Sequence, residues 1–429
     1  MDHRPPFALT SPSPEPSMAH RRGSLEVLLR DAQGAPLRDT EVTVEQRSHA
    51  FAFGCHGFEF LPEDPEDITN VSAASQDPAR MEEQWRALFT TATVPVYWSL
   101  FEPQEGSPAT DRLAAGARWF AERGIRVKGH PLVWHTLAPT WLRGRDLDEV
   151  EKTLRARITR EVGQLAGAID CWDAINEVVI MPVFTQEPNA ITELSRTLGR
   201  IGMIRLAFEQ AREANPRATL LLNDFDLSTA YDTLIEGVLE AGIELDAIGL
   251  QSHMHQGYWG EEKTLGILER FSRYGLPLHL TETTLVSGDL MPPEIVDLND
   301  HQVDSWPSTP EGEARQADEL VRHYRTLLSH PSVEAVTYWG LFDRGAWLGA
   351  PAGLVREDGS PKPSYEALHN LIRGEWWTGP HQVRTDGDGR ARLEGWFGEY
   401  AVHLPGGRVE VVELNAPAPQ SFPQTMPHS

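Results

Sequence analysis

The sequence predicts a (β/α)8 TIM barrel with a small β-sandwich-like module formed by the N-terminal and C-terminal flanking segments. Between about residues 50 and 373, short apolar runs alternate with longer amphipathic stretches, as expected of repeated β-α units. Polar residues cluster where the apolar runs end, which is where this fold places its active sites. On either side of this region, apolar and polar residues alternate with the period of a β-strand.

Eight apolar runs within the central region predict the barrel strands. Helical periodicity fills several of the intervals between them, namely 147–168, 194–214, 229–241 and 312–328. Two long βα-loops, 179–194 and 286–312, are predicted as well, and Trp306 with several prolines favours an ordered lid in the second. The eight predicted strands are 51–57, 92–98, 126–134, 171–178, 219–225, 247–254, 276–284 and 335–342.

The flanking segments each alternate around a turn, as a β-hairpin would. Segment 24–46 has a Gly-Ala-Pro turn, and segment 383–404 has Asp-Gly-Asp-Gly. Neither has enough strands to bury a core alone, so we expect the two to pair into one module that resembles transthyretin-like domains. The predicted organisation is a disordered tail (1–22), the first part of the module (23–48), the barrel (49–374), the second part of the module (375–412) and a disordered tail (413–429).

Composition narrows the classes of partner. The chain has 38 Lys and Arg against 63 Asp and Glu, a net charge of −25, which disfavours nucleic acid and anionic membranes and is compatible with a neutral carbohydrate. With only Cys55 and Cys171, a disulfide scaffold is not expected. The first residues lack the apolar run of a signal peptide, and no run reaches transmembrane length, so we expect a cytoplasmic protein.

Two glutamates carry the candidate chemistry. Glu177 in CWDAINEVV and Glu282 in LPLHLTETTL each end a strand-like run. An acid and a nucleophile that cleave a glycosidic bond must flank one sugar, so separate barrel strands suit them. We expect His253 to donate to Glu282 and keep it ionised. Other polar or aromatic side chains at predicted strand ends are His130, His135, Asn176, Asn223, Asp224, Gln251, Trp339 and Asp343.

Seven motifs occur in the order found in one known family. They are GHPLVWHTLAPTW, WDAINEV, NDFD, GLQSHM, HLTET, WGLFDRGAW and PKPSYEAL, and through them the chain resembles glycoside hydrolase family 10, the xylanase-type retaining glycosidases. The resemblance implies that Glu177 is the general acid/base and Glu282 the nucleophile, with carboxyl groups about 5 to 5.5 Å apart. It implies no cofactor and no metal.

The same resemblance implies the residues that bind sugar in the −1 subsite. Asn176 would bond the sugar 2-hydroxyl, whereas Trp134 is predicted nearer the core. The remaining implied substrate-binding residues are His130, His135, Gln251, His253, Trp339, Trp347 and Tyr97.

The −2 side departs from the family pattern. Val94 and Tyr97 stand where the family usually has Asn and Lys, and Leu137 replaces a common Gln. Because sugar recognition depends on directed hydrogen bonds, we expect a remodelled −2 subsite. The expected activity is that of an endo-1,4-beta-xylanase-like retaining glycosidase acting on β-1,4-xylan-derived oligosaccharides or β-xylosides.

Two other functions stay open at this point. A metal-dependent barrel hydrolase is suggested by the two histidines of His253-x-His255, although the first strand offers only His56 as a further ligand. A non-catalytic carbohydrate-binding barrel is suggested by the lost −2 anchors. The presence of both glutamates favours the enzyme.

Overall fold

A computed structural model describes residues 17–62 and 77–415 of the chain. Eight parallel strands close into a barrel in the order β3-β4-β5-β6-β7-β8-β10-β11, with β11 pairing back to β3. The predicted TIM barrel is therefore confirmed. The strands are β1 (Arg22–Leu28), β2 (Glu41–Gln46), β3 (Ala52–His56), β4 (Thr91–Pro95), β5 (Arg126–His130), β6 (Cys171–Asn176), β7 (Thr219–Asp224), β8 (Ala247–Leu250), β9 (His253–Met254), β10 (Leu278–Leu285), β11 (Val333–Tyr338), β12 (His381–Arg384), β13 (Arg390–Trp396), β14 (Gly398–His403) and β15 (Val409–Leu414).

Helices lie between the barrel strands and bury their apolar faces against them. Capping residues set several helix starts: Asp146 accepts from the backbone of Asp148, and Thr309 accepts from that of Gly312. Gly199 adopts φ 68° and breaks α5 into two segments. The helices are α1 (Pro78–Leu88), α2 (Trp98–Phe101), α3 (Thr110–Ala121), α4 (Leu147–Gln164), α5 (Ala190–Ala214), α6 (Thr229–Glu240), α7 (Gly260–Ser272), α8 (Pro310–Ser329) and α9 (Pro363–His369).

The flanking strands form a module from both ends of the chain. Strand β1 pairs with β13, and a second sheet has the order β12-β2-β14-β15. Each predicted hairpin is therefore wrong. Strand β1 pairs with β13 and β2 pairs with β12, so the two N-terminal strands do not pair with each other, and neither do β12 and β13. The two sheets enclose a separate apolar core whose largest members include Phe397, Tyr400 and Leu414.

Structure begins earlier than the predicted N-terminal tail allows. Met18 packs against the barrel core, and the Arg21 guanidinium donates to the carbonyls of Leu328, His330 and Val333 at 3.1, 2.6 and 2.5 Å. Residues up to 22 are therefore not all tail, because these contacts fix them on the barrel. The rest of that predicted tail (1–16) lies outside the described residues. The predicted C-terminal tail (413–429) begins too early, because β15 continues to the buried Leu414; its residues beyond 415 lie outside the described residues.

The second long loop is held in place at several points. The Trp306 indole donates to the carbonyl of Asp289 at 2.8 Å and packs against Val286, Ala350 and Ala352. The backbone N–H of Met291 donates to the carbonyl of His255 at 3.0 Å, next to β9.

Within residues 17–62 and 77–415, every helix is too short or too polar to traverse a lipid bilayer.

Candidate active site

Glu177 and Glu282 lie at the carboxyl ends of β6 and β10. Glu177 follows β6 with φ 55°, a left-handed conformation that costs free energy for any residue other than glycine. Its backbone N–H donates to the carbonyl of Asn223 at 2.9 Å, which anchors the strained turn to β7. Glu282 lies within β10 and is only 5% exposed. The barrel thus holds Glu282 in a buried position and Glu177 in a partly buried one.

A chain of amide groups connects the two carboxyl groups. The Gln251 amide donates to Glu177 Oε1 at 3.2 Å and to Asn176 Oδ1 at 3.1 Å. The Asn223 amide donates to Asn176 Oδ1 at 2.8 Å and to Glu282 Oε1 at 3.0 Å. Asn223 was not among the predicted site residues, although its position at the end of β7 was a signal for it. The register of β6 on β7, which places Asn176 beside Asn223, creates this chain.

Glu177 is in an environment that favours its protonated form. Burial, reinforced by the charge of Glu282, raises the pKa of Glu177 from 4.5 to about 8. The Trp134 indole N–H donates to Glu177 Oε2 at 2.7 Å and opposes this shift. The prediction that Trp134 belongs nearer the core is wrong, because its ring is only partly buried and its N–H reaches the site.

Glu282 is in an environment that favours its ionised form. Burial works to raise the pKa of Glu282, but the hydrogen bond with His253 and the proximity of His130 outweigh it and hold that pKa below 4.5. His253 Nε2 lies 3.1 Å from Glu282 Oε2, and His130 Nε2 lies 3.9 Å from Oε1. The two carboxyl groups therefore differ in protonation near neutral pH.

Two charged residues inside the barrel orient His130. Asp173 Oδ2 accepts from Lys128 Nζ and from His130 Nδ1, each at 2.7 Å, and Asp173 and Lys128 are almost completely buried. Burial alone would raise the pKa of Asp173, but Lys128 and His130 lower it to about 2. With Nδ1 bound to a carboxylate, the other ring nitrogen of His130 points toward Glu282. Lys128 and Asp173 were not among the predicted site residues, although a charged residue within each of two buried barrel strands, β5 and β6, indicated them.

Aromatic and histidine rings surround the carboxyl groups. Ring centroids of Trp339 lie 5.2 Å from His130 and 6.4 Å from His253, and Trp347 lies 4.9 Å from His253. Tyr97 lies 5.8 Å from His130. His135 packs against Phe184, from the loop after Glu177, at 4.4 Å. Seven of the eight predicted substrate-binding residues thus contact a glutamate or a neighbour of one. The eighth, His135, packs against Phe184 and against Trp134, its neighbour in the chain.

The two histidines of the His253-x-His255 motif lie close together, with ring centroids 5.8 Å apart, but differ in their other neighbours. His253 contacts Glu282, whereas burial lowers the pKa of His255 to about 3. The Thr284 hydroxyl lies 3.4 Å from Nδ1 of each ring. In the part of the chain that the structure describes, no three His, Cys, Asp or Glu side chains are arranged to hold a metal ion.

Similar proteins were found by sequence and by structure. Endo-1,4-beta-xylanase of Geobacillus stearothermophilus is 27% identical over 70% of this chain and 94% of its own length. The anti-sigma-I factor RsgI6 of Acetivibrio thermocellus is 26% identical over 90% of this chain, which spans only 45% of that protein. Native xylanase 10B of Thermotoga maritima superposes with a TM-score of 0.60 at 23% identity, covering 76% of this chain and 96% of the xylanase, a likeness of fold.

The family assignment rests on a match across most of the barrel. The model described as glycosyl hydrolase family 10 matches residues 68–371. That stretch contains both candidate carboxylates and all eight predicted substrate-binding residues. The chain belongs to glycosyl hydrolase family 10.

Proposed function

We propose that the protein is a retaining β-glycosidase acting on short β-1,4-xylo-oligosaccharides or β-xylosides. The observation that carries this proposal is a pair of linked carboxyl groups with different partners: Glu282 contacts His253, whereas Glu177 accepts only from neutral donors. In keeping with this, the pKa of Glu177 is raised to about 8 and that of Glu282 is lowered. A protonated acid beside an ionised nucleophile is what double displacement requires. Membership of family 10 supports the same reaction.

In the first step, Glu282 attacks the anomeric carbon while Glu177 gives its proton to the departing glycosidic oxygen. The resulting ester removes the negative charge of Glu282, which is one cause of the raised pKa of Glu177. The pKa of Glu177 then falls, so this residue can take a proton from water as the water oxygen bonds to the anomeric carbon. Cleavage of the ester returns Glu282 as a carboxylate.

Sugar recognition would begin at Asn176. Its Oδ1 accepts two hydrogen bonds, from Gln251 and Asn223, whereas its Nδ2 is buried with no partner among the described residues. A buried donor without a partner costs free energy unless a ligand accepts from it. The 2-hydroxyl of a sugar held between Glu177 and Glu282 would be that acceptor.

Hydrolysis of 4-nitrophenyl β-xyloside tests the proposal. We expect turnover by the wild type and losses of at least about 100-fold in kcat for Glu282→Ala and Glu177→Ala. Azide should restore the activity of both variants, with opposite stereochemistry. In Glu282→Ala azide replaces the nucleophile and gives the α-xylosyl azide. In Glu177→Ala azide replaces the attacking water and gives the β-xylosyl azide. NMR of the first-formed xylose should show the β-anomer.

Glu209→Ala is the matched control. Glu209 forms an exposed ion pair with Arg205 on α5, so its removal should leave the rate unchanged. A first-formed α-anomer would contradict the retaining mechanism. Equal rates for the wild type and Glu282→Ala would contradict the assignment of the nucleophile.

A barrel that binds a carbohydrate without cleaving it is the second candidate. The observation in its favour is the similarity over 90% of the chain to a protein named as an anti-sigma-I factor. That name describes a regulator and does not mention hydrolysis. Calorimetric binding of xylobiose together with no turnover of any aryl glycoside would favour this candidate over the enzyme.

A further inference from the structure

Three aromatic side chains from three barrel loops form a row at one end of the site, with Phe58 in contact with the other two. Phe58 follows β3, Tyr97 follows β4 and Trp339 follows β11. The Phe58 ring centroid lies 6.0 Å from that of Tyr97 and 5.8 Å from that of Trp339, edge to face in both cases. Such separations are those of rings in direct contact. Phe58, Tyr97 and Trp339 are called the aromatic wall below.

The aromatic wall borders the carboxyl groups directly. His130, whose Nε2 lies 3.9 Å from Glu282, packs edge to face against Trp339 at 5.2 Å and against Tyr97 at 5.8 Å. On the other side, Tyr97 lies 5.5 Å from Trp134, which donates to Glu177. The wall therefore stands next to the position of the sugar that reacts.

Residues behind the wall hold Phe58 in place. The His56 ring stacks on Phe58 with centroids 4.4 Å apart, and His56 Nδ1 lies 3.6 Å from Glu59 Oε2. Gly340 leaves the space that His56 needs, because a Cβ there would lie 3.0 Å from His56 Nε2. Phe58 is only 8% exposed. The wall is therefore packed from behind as well as from side to side.

We propose that the aromatic wall closes the glycone side of the −1 subsite, so that the enzyme releases single sugars from the non-reducing end of its substrate. This inference rests on the proposed function. Tyr97 stands where the family resemblance places an anchor of the −2 sugar, and Phe58 fills the gap between Tyr97 and Trp339. Phe58, in contact with both rings, would occupy the space beside Tyr97 that a second pyranose needs. The substrate class is a β-glycoside or short oligosaccharide with one terminal pentose in the site.

Two aryl substrates that differ by one sugar test the wall. 4-Nitrophenyl β-xyloside needs only the −1 subsite for aryl release, whereas 4-nitrophenyl β-xylobioside needs −2 as well. We expect the wild type to release the aryl group from the monoxyloside with a kcat/KM at least about 10-fold higher than from the bioside. With xylotetraose whose reducing end has been converted to the alditol, the first sugar released should be xylose rather than xylobiose.

Opening the wall should reverse this preference. Phe58→Ala is expected to raise kcat/KM for aryl release from the bioside at least about 10-fold relative to the monoxyloside. Tyr97→Ala should shift the ratio in the same direction. Because the Tyr97 ring is less buried than that of Phe58, this variant serves as the test if Phe58→Ala does not fold. Phe60→Ala is the matched control, since Phe60 stacks on Trp119 at 5.0 Å outside the wall and its loss should leave the ratio unchanged.

The possible outcomes separate the wall from the proposed function. Aryl release from both substrates with the bioside as fast as the monoxyloside would overturn the wall and leave the glycosidase standing. If the wild type prefers the monoxyloside and neither Phe58→Ala nor Tyr97→Ala reduces that preference, the role given to the aromatic wall is also overturned. Aryl release from neither substrate by the wild type would overturn the proposed function and the wall with it.

Discussion

Residue type alone does not separate the two carboxyl groups, but their neighbours do. Glu282 is buried and Glu177 is partly buried, and the loss of solvent by itself raises the pKa of each. Glu282 escapes this shift because His253 and His130 stabilise its ionised form. Glu177 has Gln251 and Trp134 as donors, and these are too weak to offset burial and the charge of Glu282. An acid and a nucleophile thus arise from the same side chain in different surroundings.

The pH dependence of activity should follow from these shifts. The first step needs Glu177 protonated, so kcat/KM should fall as pH rises through about 8. Trp134→Phe removes a donor that stabilises ionised Glu177, so the pKa of Glu177 should rise further. We expect the alkaline limb of the kcat/KM profile to move up by about half to one pH unit.

Trp141→Phe provides the control for this measurement. The Trp141 indole donates at 3.0 Å to the backbone carbonyl of Glu102 rather than to either carboxyl group of the site. Its removal should leave the alkaline limb in place. A downward shift with Trp134→Phe would contradict the role given to that hydrogen bond.

At the scale of elements, one buried ammonium group joins the loops that follow β10 and β11. Lys362, immediately before α9, is fully buried and donates from Nζ to Asp343 Oδ1 at 2.6 Å, to Ser287 Oγ at 2.9 Å and to the Gly353 carbonyl at 2.8 Å. Ser287 Oγ lies 2.6 Å from Ser308 Oγ, farther along the long loop. The motif PKPSYEAL thus contributes a positioning residue for both loops.

Lys362→Met should be strongly destabilising. The substitution removes the cation from Asp343, whose side chain is only 12% exposed, and we expect the free energy of unfolding to fall by about 3 to 5 kcal/mol, measured by urea denaturation. Adding Asp343→Asn should recover part of this loss, because the unpaired charge is then absent. Arg322→Met, which breaks the exposed pair with Glu261, should cost about 1 kcal/mol or less. A similar small loss for Lys362→Met would contradict the role of the buried pair.

At the scale of the whole molecule, the β-module ties the two ends of the chain to the barrel. Strand β1 pairs along its whole length with β13, and β2 pairs with β12 and β14. Trp396, at the end of β13, belongs to the apolar core of the barrel rather than to that of the module. The module and the barrel therefore share buried surface.

A chain that ends at Gly374 should be markedly less stable. It would lose β12 to β15 and leave the apolar faces of β1 and β2 exposed, so we expect Tm to fall by about 5 °C or more. A chain that ends at Asn415 keeps all four strands and is the control. An unchanged Tm after truncation at Gly374 would show that the module adds nothing to the stability of the barrel.

The sequence by itself determined the barrel, the two glutamates and most of the residues around them. Apolar runs of strand length recur along one chain, so local pattern is enough to count eight β-α units. The carboxyl ends of parallel strands meet at one rim, so Glu177 and Glu282 could be placed together before any coordinates existed. These features depend on pattern and order, which a sequence contains.

Only the tertiary structure decided which groups touch. Trp134 reaches Glu177, Asn223 bridges to Glu282, and Phe58 fills the space between Tyr97 and Trp339. The strands of the module likewise exchange partners between the ends of the chain rather than forming hairpins. Contacts of this kind join residues far apart in the chain, and they depend on side-chain direction and strand register. Local sequence pattern specifies neither the direction of a side chain nor the register of a strand.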